Sequence, residues 1–158
     1  MTEMQAAIGL RQLTKLGRWS EARRRNAGVL HQALEGVPHL RIPAAPKGHA
    51  FYRAVVYTAG TEASALRERL LRDMHRQGIP ANEGSCGEIY REEIFSARSA
   101  TPASIRRGTL DSEGRLPVAR GLAETSLTFF VHHTIDVETM RSYAKAVRDC
   151  MHRTMSAA

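Results

Sequence analysis

Residues 1–34 read MTEMQAAIGLRQLTKLGRWSEARRRNAGVLHQAL, a stretch with no proline and only three glycines. This composition predicts one long helix, with Gly17 as the place where a bend would fall. Thr2 and Gln5 have the spacing of a capping box, in which each side chain accepts a hydrogen bond from the other residue's backbone N–H. At about 1.5 Å per residue the helix would be roughly 50 Å long. A compact domain of this chain length has a radius of gyration of only about 15 Å, so we expect the helix to protrude.

The two halves of this helix differ in their apolar pattern. From Trp19 onwards the apolar residues share one face, as in an amphipathic helix that lies on a domain. From Met4 to Leu16 they surround the axis almost completely, and a helix that is apolar on all sides has to be buried on all sides. Either the remaining chain wraps this first half or a segment outside residues 1–158 does, and we expect the second.

Composition indicates one globular domain, because 42% of the 158 residues are hydrophobic and 25% are charged. No apolar run approaches the length of a membrane span, and no secretory signal pattern precedes the helix. Cys86 and Cys150 lie too far apart for a zinc motif and are too few for a disulfide framework. We therefore expect a cytoplasmic protein in a reducing environment.

The formal net charge of +7 raises nucleic acid or an acidic small molecule as a ligand. Most of the basic residues are arginines scattered along the chain, with clusters only at 23–25 and 106–107. No recognition helix or aromatic stacking platform accompanies them. A nucleic-acid-binding domain is therefore the less favoured alternative, whereas a phosphorylated small substrate is compatible with the charge.

Beyond the first helix, strand and helix patterns alternate. The two segments that are apolar on both faces, His49–Thr58 and Leu127–Val131, predict central strands covered on both sides. The other predicted elements are a short strand at His39–Ile42, a helix from Thr61 stopped by Gly78, a short extended segment at Ile79–Ala81, a helix from Pro117 to Glu124, and a last helix capped by Asp136. This order predicts an α/β (α+β) two-layer sandwich, in which a sheet of three or four strands carries helices mainly on one face.

A long turn-rich segment, residues 82–115, interrupts this order. Loops of this length in compact domains are usually functional or disordered. We expect its first part, with one or two helical turns at Glu88–Phe95, to be functional. We expect its second part, residues 96–115, to be a mobile loop.

Candidate site residues lie at strand ends and in this loop. His132 and His133 follow the last strand, and adjacent side chains on an extended chain point in opposite directions, so we expect one of them to face a site. His49 is a weaker candidate, and the remaining histidines, which are expected at the surface, are His31, His39, His75 and His152. Glu88 has two interpretations: it contributes to a functional site, or it only begins the helical turns predicted at Glu88–Phe95.

Several kinds of catalytic site lack support in the sequence. Ser85 and Cys86 have no nucleophile-elbow context, and a pairing of Cys86 with His132 is a remote alternative. The nucleotide-binding glycine motifs and the HExxH zinc motif are absent. The three lysines occupy no setting that would depress a pKa for Schiff-base chemistry; they are Lys15, Lys47 and Lys145.

Five stretches, in the same order, resemble the small domain of the DegT/DnrJ family of sugar aminotransferases, which are fold type I pyridoxal-phosphate enzymes. They are MTEMQAAIGLRQL, the W-x-x-x-R-R-x-N-A run at Trp19–Ala27, HAFYRAVVY, GSCGEIYREEIF and LPVARGLAETSLTFFVHHTID. The resemblance implies that residues 1–36 form a helix linking to a large domain upstream. It implies that residues 37–158 form the C-terminal small domain.

The resemblance also implies substrate-binding residues, which are Ser85, Glu88, Tyr90 and His132, and it implies neither catalytic nor metal-binding residues in this chain. His133 stands where related sequences have proline, so we expect a looser turn around His132. Milder departures are Gly87, where relatives have serine, and Ile94, where they have alanine.

In the family, the lysine that binds pyridoxal phosphate belongs to the upstream domain. The complete enzyme moves an amino group from glutamate to a keto-sugar nucleotide in amino-sugar or polysaccharide biosynthesis. The resemblance therefore implies that this chain alone holds no cofactor and is inactive. It also implies a homodimer or hetero-association through residues 1–20, with the large domain or a full-length homologue as partner. A regulatory or complementing module that pairs with a full-length aminotransferase is the main alternative.

Overall fold

The computed structural model describes residues 1–84, 87–88 and 116–156. In chain order the elements are α1 (Glu3–Leu34), β1 (Leu40–Arg41), β2 (Ala54–Thr58), α2 (Ala63–Arg76), β3 (Ala81–Glu83), α3 (Pro117–Thr125), β4 (Ser126–Phe129) and α4 (Val137–Ser156). Among these described residues, no helix is long and apolar enough to cross a bilayer. The predicted helical turns at 89–95 and the loop at 96–115 lie outside the described residues.

The four strands form one sheet in the order β1-β2-β4-β3, with every neighbouring pair antiparallel. Because β2 and β3 both pair with β4, they run parallel to each other, and α2 connects them. Ala54 of β2 and Ala81 of β3 both lie opposite Phe129 of β4. The predicted mixed fold with a small sheet and a long first helix is confirmed.

One face of the sheet packs against the helices. On this face Ala54, Val56 and Phe129 belong to a single hydrophobic core that also contains helix residues. The helix residues that are completely buried in this core include Leu30, Leu70, Met74, Met140 and Val147. β4 is buried at all four positions, as predicted for a central strand. On the other face Val55 and Tyr57 are only half-buried, so the prediction that β2 is covered on both sides is wrong.

α1 is an unbroken helix of 32 residues, with no interruption at Gly17. Its predicted capping box is present: the Gln5 backbone N–H donates to the Thr2 hydroxyl, and the Thr2 backbone N–H donates to the Gln5 side chain. Only its second half contributes buried residues, which are Asn26, Ala27, Leu30 and Leu34. In the first half the apolar side chains are exposed, with Met4 at 75% and Leu10 at 66%.

All four strands differ in their bounds from the prediction: β1 spans Leu40–Arg41 instead of His39–Ile42, and β4 spans Ser126–Phe129 instead of Leu127–Val131. β2 begins at Ala54 instead of His49, because Gly48 and Phe51 have positive φ angles of 86° and 48°, which an extended strand cannot accommodate. The Phe51 backbone N–H donates instead to Nδ1 of His49 over 3.1 Å. The extended segment after α2 continues to Glu83, two residues beyond its predicted end.

Three predicted helix ends are confirmed, whereas α2 begins at Ala63 instead of Thr61. Gly78 has a φ of 68° and follows α2, and the Ile79 N–H donates back to the carbonyl of Met74 over 2.9 Å, as in a Schellman motif. Pro117 is the first residue of α3. Asp136 precedes α4 and accepts a hydrogen bond from the Thr139 N–H over 2.8 Å.

Candidate functional site

A tight turn at residues 132–135 follows β4 and carries the predicted site histidine. The Ile135 N–H donates to the His132 carbonyl over 3.1 Å, which closes a β-turn. The side-chain amide of Asn26, on α1, donates to the His132 carbonyl at 3.0 Å and to the Ile135 carbonyl at 2.9 Å. Three hydrogen bonds therefore constrain the turn, although it carries His133 in place of a proline.

The rings of His132 and His133 lie side by side, with centroids 4.1 Å apart. The prediction that they point in opposite directions is wrong, because the backbone turns at His133 instead of continuing as a strand. The His133 ring also stacks on Trp19 of α1, at 4.4 Å between centroids and 22° between planes. Nδ1 of His132 lies 2.8 Å from the Thr134 hydroxyl, which fixes the orientation of the exposed His132 ring.

Burial, the neighbouring His132 and the nearby Arg23 and Arg18 lower the pKa of His133 below its usual value. Its Nδ1 is buried without a hydrogen-bond partner among the described residues. A protonated His133 would place a cation in this already basic environment, so its surroundings favour the neutral ring. His133 therefore acts here as an aromatic surface for packing and leaves His132 as the exposed ring.

Arginine and aromatic side chains surround the same end of the sheet. Arg23 donates to the carbonyl of Tyr52 over 3.3 Å, and its guanidinium lies 5.8 Å from the centre of the Tyr52 ring. Arg53 lies over the rings of Phe130, at 5.0 Å, and Tyr52, at 5.9 Å. We call these four residues the arginine–aromatic surface. Its cations and ring faces suit an anionic ligand that carries a planar group.

A cleft of about 200 Å³ lies beneath the proline-containing loop 43–46, and both His31 and His49 line it together with Phe51 and Arg53. His49 contacts Phe51 edge-on, with ring centroids 4.3 Å apart. His31 is half-buried, and burial lowers its pKa, so the expectation of a surface histidine is wrong. The two histidines therefore share one small cleft on the second face of the sheet.

Glu88 is the only predicted loop residue of the site that the structure describes. Its carboxylate accepts a hydrogen bond from the Leu116 backbone N–H over 3.0 Å, immediately before α3, and the residue is 5% exposed. The carboxylate therefore satisfies a backbone donor at the start of α3. The helix-start interpretation, in which Glu88 begins helical turns of its own, stays a prediction because residues 89–95 lie outside the described residues. The structure thus gives contacts for Glu88 and His132, while Ser85 and Tyr90 lie outside the described residues.

None of the three lysines is buried, and Lys145 lines an open cleft of about 370 Å³ between α1 and α4 but is itself exposed. Lys15 lies over the Trp19 ring at 5.6 Å on α1, Lys47 is exposed in a loop, and Lys145 is exposed on α4. These positions do not fit pyridoxal phosphate, whose lysine needs a desolvated site. Cys150 is a buried free thiol, and burial raises its pKa, so it is no nucleophile. Within the described ranges no group of side chains could hold a metal ion.

Comparison with known proteins identifies relatives of this chain. Residues 1–148 match the DegT/DnrJ/EryC1/StrS aminotransferase family. The structure is similar to that of an aminotransferase from Psychrobacter cryohalolentis, with 31% identity and a TM-score of 0.78 over 98% of this chain. Helicobacter pylori PseC, an aminotransferase involved in the biosynthesis of pseudoaminic acid, shares the fold at 16% identity, with a TM-score of 0.77 over 97% of this chain and 38% of its own.

The chain is also 32% identical over 95 residues to dTDP-4-dehydro-2,6-dideoxy-D-glucose 3-dehydratase of Saccharopolyspora spinosa. That match covers 60% of this chain and 21% of the dehydratase. The chain likewise spans only 40% of the Psychrobacter enzyme. Because the family match extends over residues 1–148 of 158, the chain belongs to the DegT/DnrJ/EryC1/StrS aminotransferase family.

Proposed function

We propose that this chain acts as the small-domain part of a pyridoxal-phosphate-dependent sugar-nucleotide aminotransferase. The observation that carries the proposal is the first half of α1, whose apolar side chains are exposed although the second half packs in a well-formed core. Exposed apolar surface of this kind marks an interaction site. The match to 40% of the length of the Psychrobacter enzyme is consistent with a large domain as the covering partner.

The proposed contact uses residues 1–20. Five large apolar side chains of this stretch range from 52% exposed at Leu16 to 75% at Met4; the set is Met4, Ile8, Leu10, Leu13 and Leu16. Since they surround the helix axis, one flat partner surface would leave part of them in water. A large domain on one side and a second subunit on the other would cover the set, and we therefore assign the helix to both contacts.

The proposed substrate contacts are those of His132 and of the loop residues Ser85, Glu88 and Tyr90. The exposed ring of His132 offers a hydrogen-bonding group beside the arginine–aromatic surface. Arginine guanidinium groups recognise phosphates, and aromatic rings stack with bases. These features support a sugar nucleotide as the ligand of this end of the sheet.

The cofactor belongs, in this proposal, to the remainder of the complete enzyme. Pyridoxal phosphate serves as an electron sink when it is bound to its enzyme. The lysines of this chain do not fit that group, so we expect no transaminase activity from the chain alone. Its own contribution is to hold the substrate and to cover the cleft.

The test is a chimera in which this chain replaces the small domain of the Psychrobacter aminotransferase. We expect the chimera to transfer an amino group to a keto-sugar nucleotide, while the chain alone with added pyridoxal phosphate does not. The large domain alone is the control for residual activity. Transaminase activity of the isolated chain, or a folded, cofactor-loaded chimera no more active than the large domain, would contradict the proposal.

Sugar dehydration is a second candidate, because the dehydratase relative shares 32% identity over 95 residues. Both candidates use the small domain to hold a keto-sugar nucleotide, and they differ in the product. Mass spectrometry of the chimera's product distinguishes an amino sugar from a sugar that has lost water. A complementing module is the remaining alternative, and co-purification with an intact full-length aminotransferase would favour it.

A further inference from the structure

We propose that Asn26 is a positioning residue, which sets the orientation of His132 by holding the turn at residues 132–135. The assignment of a substrate contact to His132 rests on the proposed function, whereas the link between Asn26 and the turn rests on geometry alone. Asn26 is completely buried on α1, more than 100 positions from the turn in sequence.

The first argument is the pattern of hydrogen bonds. A single amide nitrogen, Nδ2 of Asn26, reaches both the first and the last carbonyl of the turn, at 3.0 and 2.9 Å. The same His132 carbonyl also accepts the turn-closing bond from Ile135. The amide therefore fixes the separation of the two ends of the turn, and this separation determines how the chain leaves β4.

The second argument is that the same side chain is poorly suited to a purely stabilising role. Oδ1 of Asn26 is buried and has no hydrogen-bond partner among the described residues. A buried polar atom without a partner lowers stability. A leucine of similar size would avoid this cost, but it would leave the turn without its donor. The effect specific to asparagine is thus the shape of the turn.

The third argument is a second contact from α1 to the same turn. Trp19 lies about two helical turns before Asn26, and its ring stacks on His133. Asn26 thus holds the backbone of the turn, while Trp19 packs against the ring of His133, the neighbour of His132. The Thr134 hydroxyl then sets the His132 ring itself. Through these contacts the position of His132 depends on α1.

The test uses the chain with Asn26→Leu, which keeps the size of the side chain and removes both hydrogen bonds. Thr154→Val is the matched control, because it removes a partly buried hydrogen bond to Asp73, at 2.8 Å, in another part of the molecule. Trp19 is the only tryptophan, so its fluorescence reports on the contact with His133. A protonated imidazole in contact with an indole quenches its emission, and the histidine ring resonances are followed by NMR in the same titration.

We expect Asn26→Leu to lose most of the pH-dependent quenching of Trp19 and to shift the His132 ring resonances towards those of a free histidine. Thr154→Val should keep both signals. Asn26→Ser, a milder variant whose hydroxyl cannot bridge the two carbonyls, should show the same changes if Asn26→Leu fails to fold. Wild-type quenching and His132 resonances in a folded Asn26 variant would overturn the inference and leave the proposed function intact. An inactive chimera would contradict the proposed function and leave the inference about Asn26 intact.

Discussion

Gly84 follows β3 at a place where no side chain fits. A Cβ at this position would lie 1.9 Å from Oγ and 2.3 Å from Cβ of Ser126, the first residue of β4. We predict that Gly84→Ala lowers the free energy of unfolding by about 1–3 kcal/mol, as overpacking of a tight site does. Urea denaturation monitored by circular dichroism measures this change.

Two comparisons isolate the cause of that effect. Gly28→Ala is the matched control, since its Cβ would meet no atom within 4 Å, and in a helix interior the change should stabilise by about 0.5–1 kcal/mol. In a Ser126→Gly background the cost of Gly84→Ala should fall. Equal costs of Gly84→Ala with and without Ser126 would show that the contact is not responsible.

Asp136 makes stability depend on pH. Hydrogen bonds from the backbone N–H and the hydroxyl of Thr139 lower the pKa of this carboxyl group. In the unfolded chain the pKa is about 3.9, so the contribution is fully present above that pH and is lost as the pH falls through the lower folded-state value. We predict that the stability advantage of wild type over Asp136→Asn disappears in this acidic range. Asparagine keeps a neutral acceptor, and an advantage that is constant with pH would contradict the prediction.

Individual residues were predictable where their partners are close in sequence. The capping box of Thr2 with Gln5, the Asp136 cap and the Gly78 terminus each depend on neighbours within a few positions. Asn26 was not recognised, because both of its bonded carbonyls lie more than 100 positions away. No local pattern distinguishes an asparagine that binds a distant turn from one that faces solvent.

The two halves of α1 should respond differently to substitution. Ile8→Gln with Leu13→Gln replaces side chains that are 56% and 63% exposed. Exposed substitutions usually change stability by less than about 0.5 kcal/mol, so we predict an unchanged free energy of unfolding together with weaker self-association. Urea denaturation and sedimentation velocity measure the two properties.

Leu30→Ala is the control in the same helix. Its side chain is completely buried, and truncation of a buried leucine costs about 2–5 kcal/mol. The control should lower stability without changing self-association. If the double glutamine variant were as destabilised as Leu30→Ala, the first half of α1 would be part of the domain's own core.

Helices were predicted better than strands for a physical reason. Helix signals such as periodic apolar residues and caps are local, whereas burial of a strand face depends on what lies over the sheet. The composition of β2 is apolar on both faces, yet only the Ala54 and Val56 side meets the helices. Its start was misjudged because the positive φ of Phe51 is unusual for an aromatic residue.

At the scale of the whole molecule, the fold followed from the order of the elements and from the resemblance of five stretches to one family. The arginine–aromatic surface could not be predicted in this way. Its arginines come from α1 and from the segment before β2, so in the sequence their charges look scattered. The described residues leave the first half of α1 exposed, and the expectation that a segment outside residues 1–158 covers it stays a prediction. Which segment covers it is the central question about this protein.

The most direct measurement is the activity of the small-domain chimera with and without Leu10→Glu and Leu13→Glu in α1. The account predicts that the unsubstituted chimera transfers an amino group to a keto-sugar nucleotide. It predicts that the two charges abolish this activity, although the isolated chain carrying them unfolds at the same urea concentration as wild type. A charged chimera as active as the unsubstituted one would contradict the claim that this half of α1 is covered by the rest of the enzyme.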